Sequence, residues 1–162
     1  MALNAYLTLT GDTQGVVEGS VTRAGREGMM EIHGWSHEVV SRFKAASGRA
    51  TGKRRHKPLE VIKPIDKATP ILANILANNE TITSWRLDCW RPSRSGKESQ
   101  YYTIELLNAS IAGIRQEQLD NTYPENMPLE PREHVKFTYQ KIIWTWQDGG
   151  IQAEDDWETP LA

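Results

Sequence analysis

The chain has 162 residues, 38% of them hydrophobic, and a formal net charge of −2. That length suits a single domain with a proper core, and the charge excludes a global attraction to nucleic acid or to an anionic membrane. The one cysteine, Cys89, excludes an intramolecular disulfide and fits a reducing compartment.

The opening, MALNAYLTLTGD, has neither the basic n-region nor the long apolar h-region of a signal peptide, and no apolar run approaches bilayer length. A protein made in the cytoplasm, with no direct membrane insertion, is therefore predicted. Residues 5–10 (AYLTLT) alternate and read as a first strand. Residues 29–40 (MMEIHGWSHEVV) read as a second, approached through glycines that suit tight turns. Residues 41–57 (SRFKAASGRATGKRRHK) lack a hydrophobic period and hold seven Lys or Arg with no acid. A stretch of that length between strands is expected to project as an extended basic loop. Residues 59–65 are the next strand. Thr69 is then a candidate N-cap and Pro70 a first-turn residue for one short helix, 70–79. Its Ile71, Leu72, Ile75 and Leu76 share a face, and Asn78 and Asn79 offer a stop. Residues 81–91 and 98–107 form a hairpin signal around PSRSGK, and residues 108–116 and 135–146 complete the strands. Residues 119–132, with three prolines, read as a loop, and 147–162 as an acidic tail anchored by Trp157. The predicted fold is mainly β, a compact barrel of two packed sheets with one short flanking helix, as a single domain over 1–162.

Within 135–146 the alternation changes phase. Val135, Phe137 and Tyr139 are odd, whereas Ile142, Trp144 and Trp146 are even. Successive strand residues point to opposite faces, so a bulge near Gln140 and Lys141 is one reading. Ile142, Trp144 and Trp146 would then pack against the helix or against a neighbouring subunit.

No catalytic constellation is visible, and neither a cofactor nor a metal is expected. GRATGK has three residues between its glycines and Arg54 after Lys53, so it does not match a phosphate-binding loop. His33 and His37 lack further ligands at zinc spacing, and no serine sits in a nucleophile elbow. Cys89 shares a face with Trp85 and Leu87 and reads as a buried, inert thiol. The basic residues Arg42, Lys44, Arg49, Lys53, Arg54, Arg55 and Lys57 find a complement in Asp148, Glu154, Asp155, Asp156 and Glu158, within one chain or between chains. Nucleic acid is disfavoured, because Phe43 is the loop's only stacking aromatic. Six Trp and five Tyr against two Phe suit surfaces packed on one side and wet on the other, as in a homo-oligomer. A monomeric barrel that binds a small ligand or peptide is the competing expectation.

The chain resembles the Hcp family of the bacterial type VI secretion system. The likeness is carried by MALNAYLTLTGDTQGVVEGS, IHGWSHEVV, SGRATGKRRHKPL, KPIDKATPIL, FTYQKIIWTWQDGG and AEDDWE, in that order. The resemblance implies a non-catalytic tube subunit that forms hexameric rings. The rings would stack into a tube, with a contractile sheath and a spike protein as partners. From the complementary charges, the basic arm 42–57 is expected to meet an acidic surface on the next ring, with Asp155 and Asp156 as its partners. The lumen would carry small effectors, and export would need no signal peptide. One departure is Arg42-Phe43-Lys44, where the family pattern leads us to expect a Pro-Arg-Asp-like sequence.

Overall fold

The computed structural model describes residues 3–158. In chain order the strands are β1 (Ala5–Gly11), β2 (Gly15–Val17), β3 (Met30–Ile32), β4 (Gly34–Ser36), β5 (Val39–Val40), β6 (Arg55–His56) and β7 (Leu59–Pro64). After helix α1 (Thr69–Ala77) come β8 (Ile82–Pro92), β9 (Glu98–Leu107), β10 (Ser110–Glu117), β11 (Arg132–Thr138), β12 (Lys141–Trp146) and β13 (Ile151–Asp156). A larger sheet runs β13-β12-β9-β8-β1-β2, with β3 also on β1, and a smaller one runs β10-β11-β7-β4. The short ribbon β5-β6 stands apart from both. The described residues are thus mainly β, with two main sheets, the short ribbon and one α-helix.

Register explains which side chains meet. In the larger sheet Leu9, Trp85, Leu106 and Ile142 lie in one row across four strands, and Leu7, Leu87, Ile104 and Trp144 in the next. Both rows turn inward, because side chains at alternate positions share a face. The smaller sheet answers with Leu59 opposite Phe137 and Val61 opposite Val135. The rings of Trp85 and Phe137 meet edge to face at 5.3 Å, joining the two sheets through one core.

This register also settles the phase change in 135–146, which is not a bulge. The chain leaves the smaller sheet at Thr138 and enters the larger one at Lys141. Each half therefore shows its apolar side to the same core from opposite sides. The expected single strand 29–40 is likewise divided, with β3 in the larger sheet, β4 in the smaller and β5 in the ribbon. Residues 147–158 of the expected tail are a turn and then β13, paired along β12; residues 159–162 lie outside the described residues.

The helix begins one residue earlier than its sequence signals. Thr69 is its first residue rather than its cap, and the cap position, Ala68, makes no side-chain cap hydrogen bond. Instead the Asp66 carboxylate accepts from the Ala68 N–H at 3.0 Å. The Thr69 hydroxyl is free to donate to Glu133 at 2.9 Å. At the other end Asn79 takes φ 52°, a left-handed conformation that asparagine tolerates. Its N–H bonds Leu76 O and that of Glu80 bonds Ile75 O, closing the last turn as a Schellman motif.

Candidate functional site: a basic arm and its root

Residues 41–57 leave the body as an irregular hairpin. At the root, Val39 faces His56 and Val40 faces Arg55. Further out, Thr51 donates to Arg42 O, and Lys44 donates to Arg49 O. Gly48, at φ 68°, closes the tip in a backbone conformation most side chains would resist. Phe43 is 66% exposed. Arg42, Lys44, Arg49, Lys53 and Arg55 are exposed, and their side chains enter no ion pair among the described residues. Lys57 pairs with Glu38 at 3.0 Å.

Arg54 behaves differently. Its guanidinium grips Asp155 with Nε at 2.8 Å and Nη2 at 2.7 Å, and Nη2 also reaches Asp156 O. Arg54 holds the Asp155 carboxyl below the usual carboxylate range, with His56 adding to the effect. Asp155 was expected as a partner for the arm of another copy; its oxygens are instead taken within its own chain. Of the other expected acids, Glu154 pairs with Lys141 at 3.1 Å. The Asp156 carboxylate accepts from Gln140 and from the Glu158 N–H. Asp148 sits in the turn at the far end of β12 from Lys141.

Beside this pair lies a buried polar chain. His56 Nε2 is 2.7 Å from Asp155 Oδ2, His56 Nδ1 is 2.7 Å from the Tyr139 hydroxyl, and that hydroxyl is 2.6 Å from His37 Nε2. Burial, and then the Asp155 charge, push the Tyr139 phenol up. The Trp157 indole donates to Tyr139 O and lies against the His56 ring. Tyr139→Phe leaves the paired imidazole nitrogens without their hydroxyl and is expected to cost about 1–3 kcal/mol in urea unfolding. A loss below the error of such a measurement would show that the chain contributes nothing to stability.

The smaller sheet places a contrasting segment at its other end. Arg132 pairs with Pro64 and Phe137 with Leu59, so the loop before β11 adjoins the end of β7 opposite the arm. Ile65 N–H donates to Pro131 O, which fixes that loop to the end of β7. Residues 117–131 contain Glu117, Asp120, Glu125 and Glu130 and no Lys or Arg. Tyr123, Met127 and Leu129 are exposed there. Glu117 is already engaged, because Arg132, His134 and Arg115 bring its carboxyl down to about 2.

The three residues expected to meet the helix or a neighbour belong first to their own subunit. Ile142 is fully buried in the core and Trp144 packs against it. Trp146 is 38% exposed. Its ring meets the Tyr101 edge at 6.1 Å, under the Arg91 guanidinium. The helix lies against β10. Cys89 is buried, and that burial pushes its thiol up to about 11, so it is a poor nucleophile at neutral pH. No cluster of three or more metal-ligating side chains occurs among the described residues.

Trp157 anchors the C-terminal segment as expected, but sequence reading did not find the roles of Tyr139 and His56, nor the buried pair of Lys63 and Glu133, whose closest atoms are 2.6 Å apart. The pair did leave a signal. Lys63 keeps the inward phase of Leu59 and Val61, and Glu133 that of Val135 and Phe137.

These features define a two-sheet antiparallel protein whose marked surface element is a charged arm rather than a catalytic cleft. Residues 6–146 match the family model described as "Type VI secretion system effector, Hcp", and the chain belongs to that family. It is 34% identical to the "Major exported protein" of Pseudomonas aeruginosa over all of its own length and 99% of that protein's. The secreted protein Hcp3 from Pseudomonas aeruginosa, solved structurally, is 29% identical and covers 98% of this chain and 100% of its own, with a TM-score of 0.79. A crystal structure of Hcp protein gives 0.91 over 98% of this chain and 100% of that one, at 24% identity, a likeness of fold.

Proposed function

We propose that this chain is a structural subunit of the type VI secretion inner tube, assembling as hexameric rings that stack and are expelled. Synthesis in the cytoplasm and export without a signal peptide accompany that reading. The spike protein and contractile sheath are its partners, and small effectors are its cargo in the lumen. Family membership supports the system. The observation that carries the stacking is the separation of charge along the smaller sheet. The basic arm leaves one end of β7 and the base-free acidic loop adjoins the other, about 17 Å away for a six-residue strand. Two unlike patches at opposite ends make a head-to-tail contact, which repeats without limit. Asp155 and Asp156 sit at the arm's own root, so the acids that meet the next ring's arm are Glu125, Glu130 and Asp148.

Each exposed ion pair contributes little, but a ring repeats it around its axis. Lys53→Glu with Arg55→Glu is expected to leave single rings intact and abolish tubes, measured by sedimentation velocity and negative-stain microscopy. Arg54 is left in place because it serves its own chain. Tubes as long as the wild type's would sink the electrostatic stacking; a monomer at micromolar concentration in the unaltered protein would sink the ring itself.

A further inference from the structure

We propose that the root of the arm is an acid-operated clasp: the arm releases β13 when His37 and His56 are both protonated.

Hydrogen-bond directions lead to this. Asp155, ionised beside Arg54, only accepts, so His56 Nε2–H donates to it. Neutral His56 then accepts at Nδ1, from the Tyr139 hydroxyl. The Tyr139 oxygen in turn accepts from His37 Nε2–H. Every proton points toward Asp155, and with both imidazoles neutral each contact is satisfied.

A first added proton is accommodated. With His56 protonated, its Nδ1–H donates to the Tyr139 oxygen, and the hydroxyl turns round to donate to His37 Nε2. His37 then carries its proton on Nδ1. Two hydrogen bonds reverse and none is lost. His37 lines an open groove with Ser36, Glu38, Lys57, Pro58 and Glu60, which gives protons access.

A second proton cannot be accommodated in this way. Both rings then donate to Tyr139, whose own O–H loses its acceptor on a residue only 5% exposed. Two cations also stand with ring centroids 6.4 Å apart. Among the described residues, the clasp's one carboxylate contact is Asp155, already shared with Arg54. The other charges near the chain are Arg55 beside His56 in sequence, Asp156 on β13, the Lys57–Glu38 pair, and Glu60, which is hydrogen-bonded to His134. Glu38 and Glu60 stand by His37, on the solvent side. Neither reaches the Tyr139 hydroxyl.

The direction with pH follows from the folded-state preference for neutral His37. Desolvation, then the proximity of His56, lower the His37 value from the ordinary 6.5. Its stabilising contribution is complete above 6.5 and is lost as pH falls through the lowered folded value. Asp155 is shifted the same way from a far lower starting value, so its own loss comes at much more acidic pH.

The test is hydrogen exchange of the full chain at pH 7.5 and 5.0, corrected for intrinsic exchange. Peptides covering 39–57 and 151–158 are expected to lose about tenfold or more in protection at the lower pH, since each extra proton bound by the open form gives about tenfold per pH unit. Peptides in β8 and β9 should not change, and His37→Gln should flatten the response. Unchanged protection at pH 5.0, or an equal loss in His37→Gln, overturns the clasp. Carbon-13 titration of the wild-type histidines is the check that needs no variant. His37 should take up its proton below the ordinary 6.5, in step with the loss of protection, whereas titration at or above that ordinary value overturns the proposal. None of these readouts requires tubes, so they are independent of the stacking reading.

Discussion

Lys63→Met lowers the stability of the protein by about 3–5 kcal/mol, the usual cost of breaking a buried pair by removing one partner. Neither side chain of the pair Lys63–Glu133 has measurable exposure. The ammonium has three donors and an acceptor for each: Glu133 at 2.6 Å, Asp66 at 2.8 Å and Pro64 O at 3.0 Å. Methionine fills the space of the stem but leaves Glu133 as an uncompensated buried charge. Urea unfolding measures this as a fall in midpoint at constant slope. Adding Glu133→Leu should recover much of the loss, because an apolar pair of similar volume removes the stranded charge. If the single variant loses less than about 1 kcal/mol, the pair is not the constraint described here. What it constrains is placement: β7, the start of α1 and β11 all meet at this one cluster.

Phe137→Ala is the second large effect, at about 3–5 kcal/mol. Phe137 is fully buried between the sheets, with its ring edge to face with Trp85. Truncation removes both the transfer energy of the ring and the contacts of its neighbours around the cavity. Phe137→Leu, which keeps more of the volume, should cost markedly less in the same urea titration. Equal losses for both variants would mean that the aromatic contact, and not the filled volume, dominates.

The alternating strands were legible because burial on one face writes itself into the sequence. The hairpin of β8 and β9 and the inward set Trp85, Leu87 and Cys89 follow from a period of two. The helix was legible from its apolar spacing, although Thr69 proved to be its first residue, its hydroxyl accepting from the Asp66 N–H and donating to Glu133. What alternation cannot encode is which sheet a strand joins. A change of phase at Gln140 fits a bulge or a crossing equally well, and only the pairing of β12 with β9 distinguishes them. The arm's charge was legible for the same local reason. The complementary acids of the C-terminal segment were legible too, but not which pair closes or whether it closes within one chain, because Arg54 and Asp155 are 101 residues apart and only the folded chain brings them together. Tyr139 read as one more inward aromatic, since a period of two says nothing about where a hydroxyl points.

The arm is held at two places of different kinds, with a mechanical consequence. Through β6 and Leu59 it continues covalently into β7 of the smaller sheet. Through Arg54 it is fastened to Asp155 on β13, the edge of the larger one. A pull on the tip therefore divides between the two sheets instead of peeling one strand from an edge. In an Arg54→Ala chain the larger sheet would share the pull through the His56–Asp155 contact, and more of it would fall on the smaller sheet.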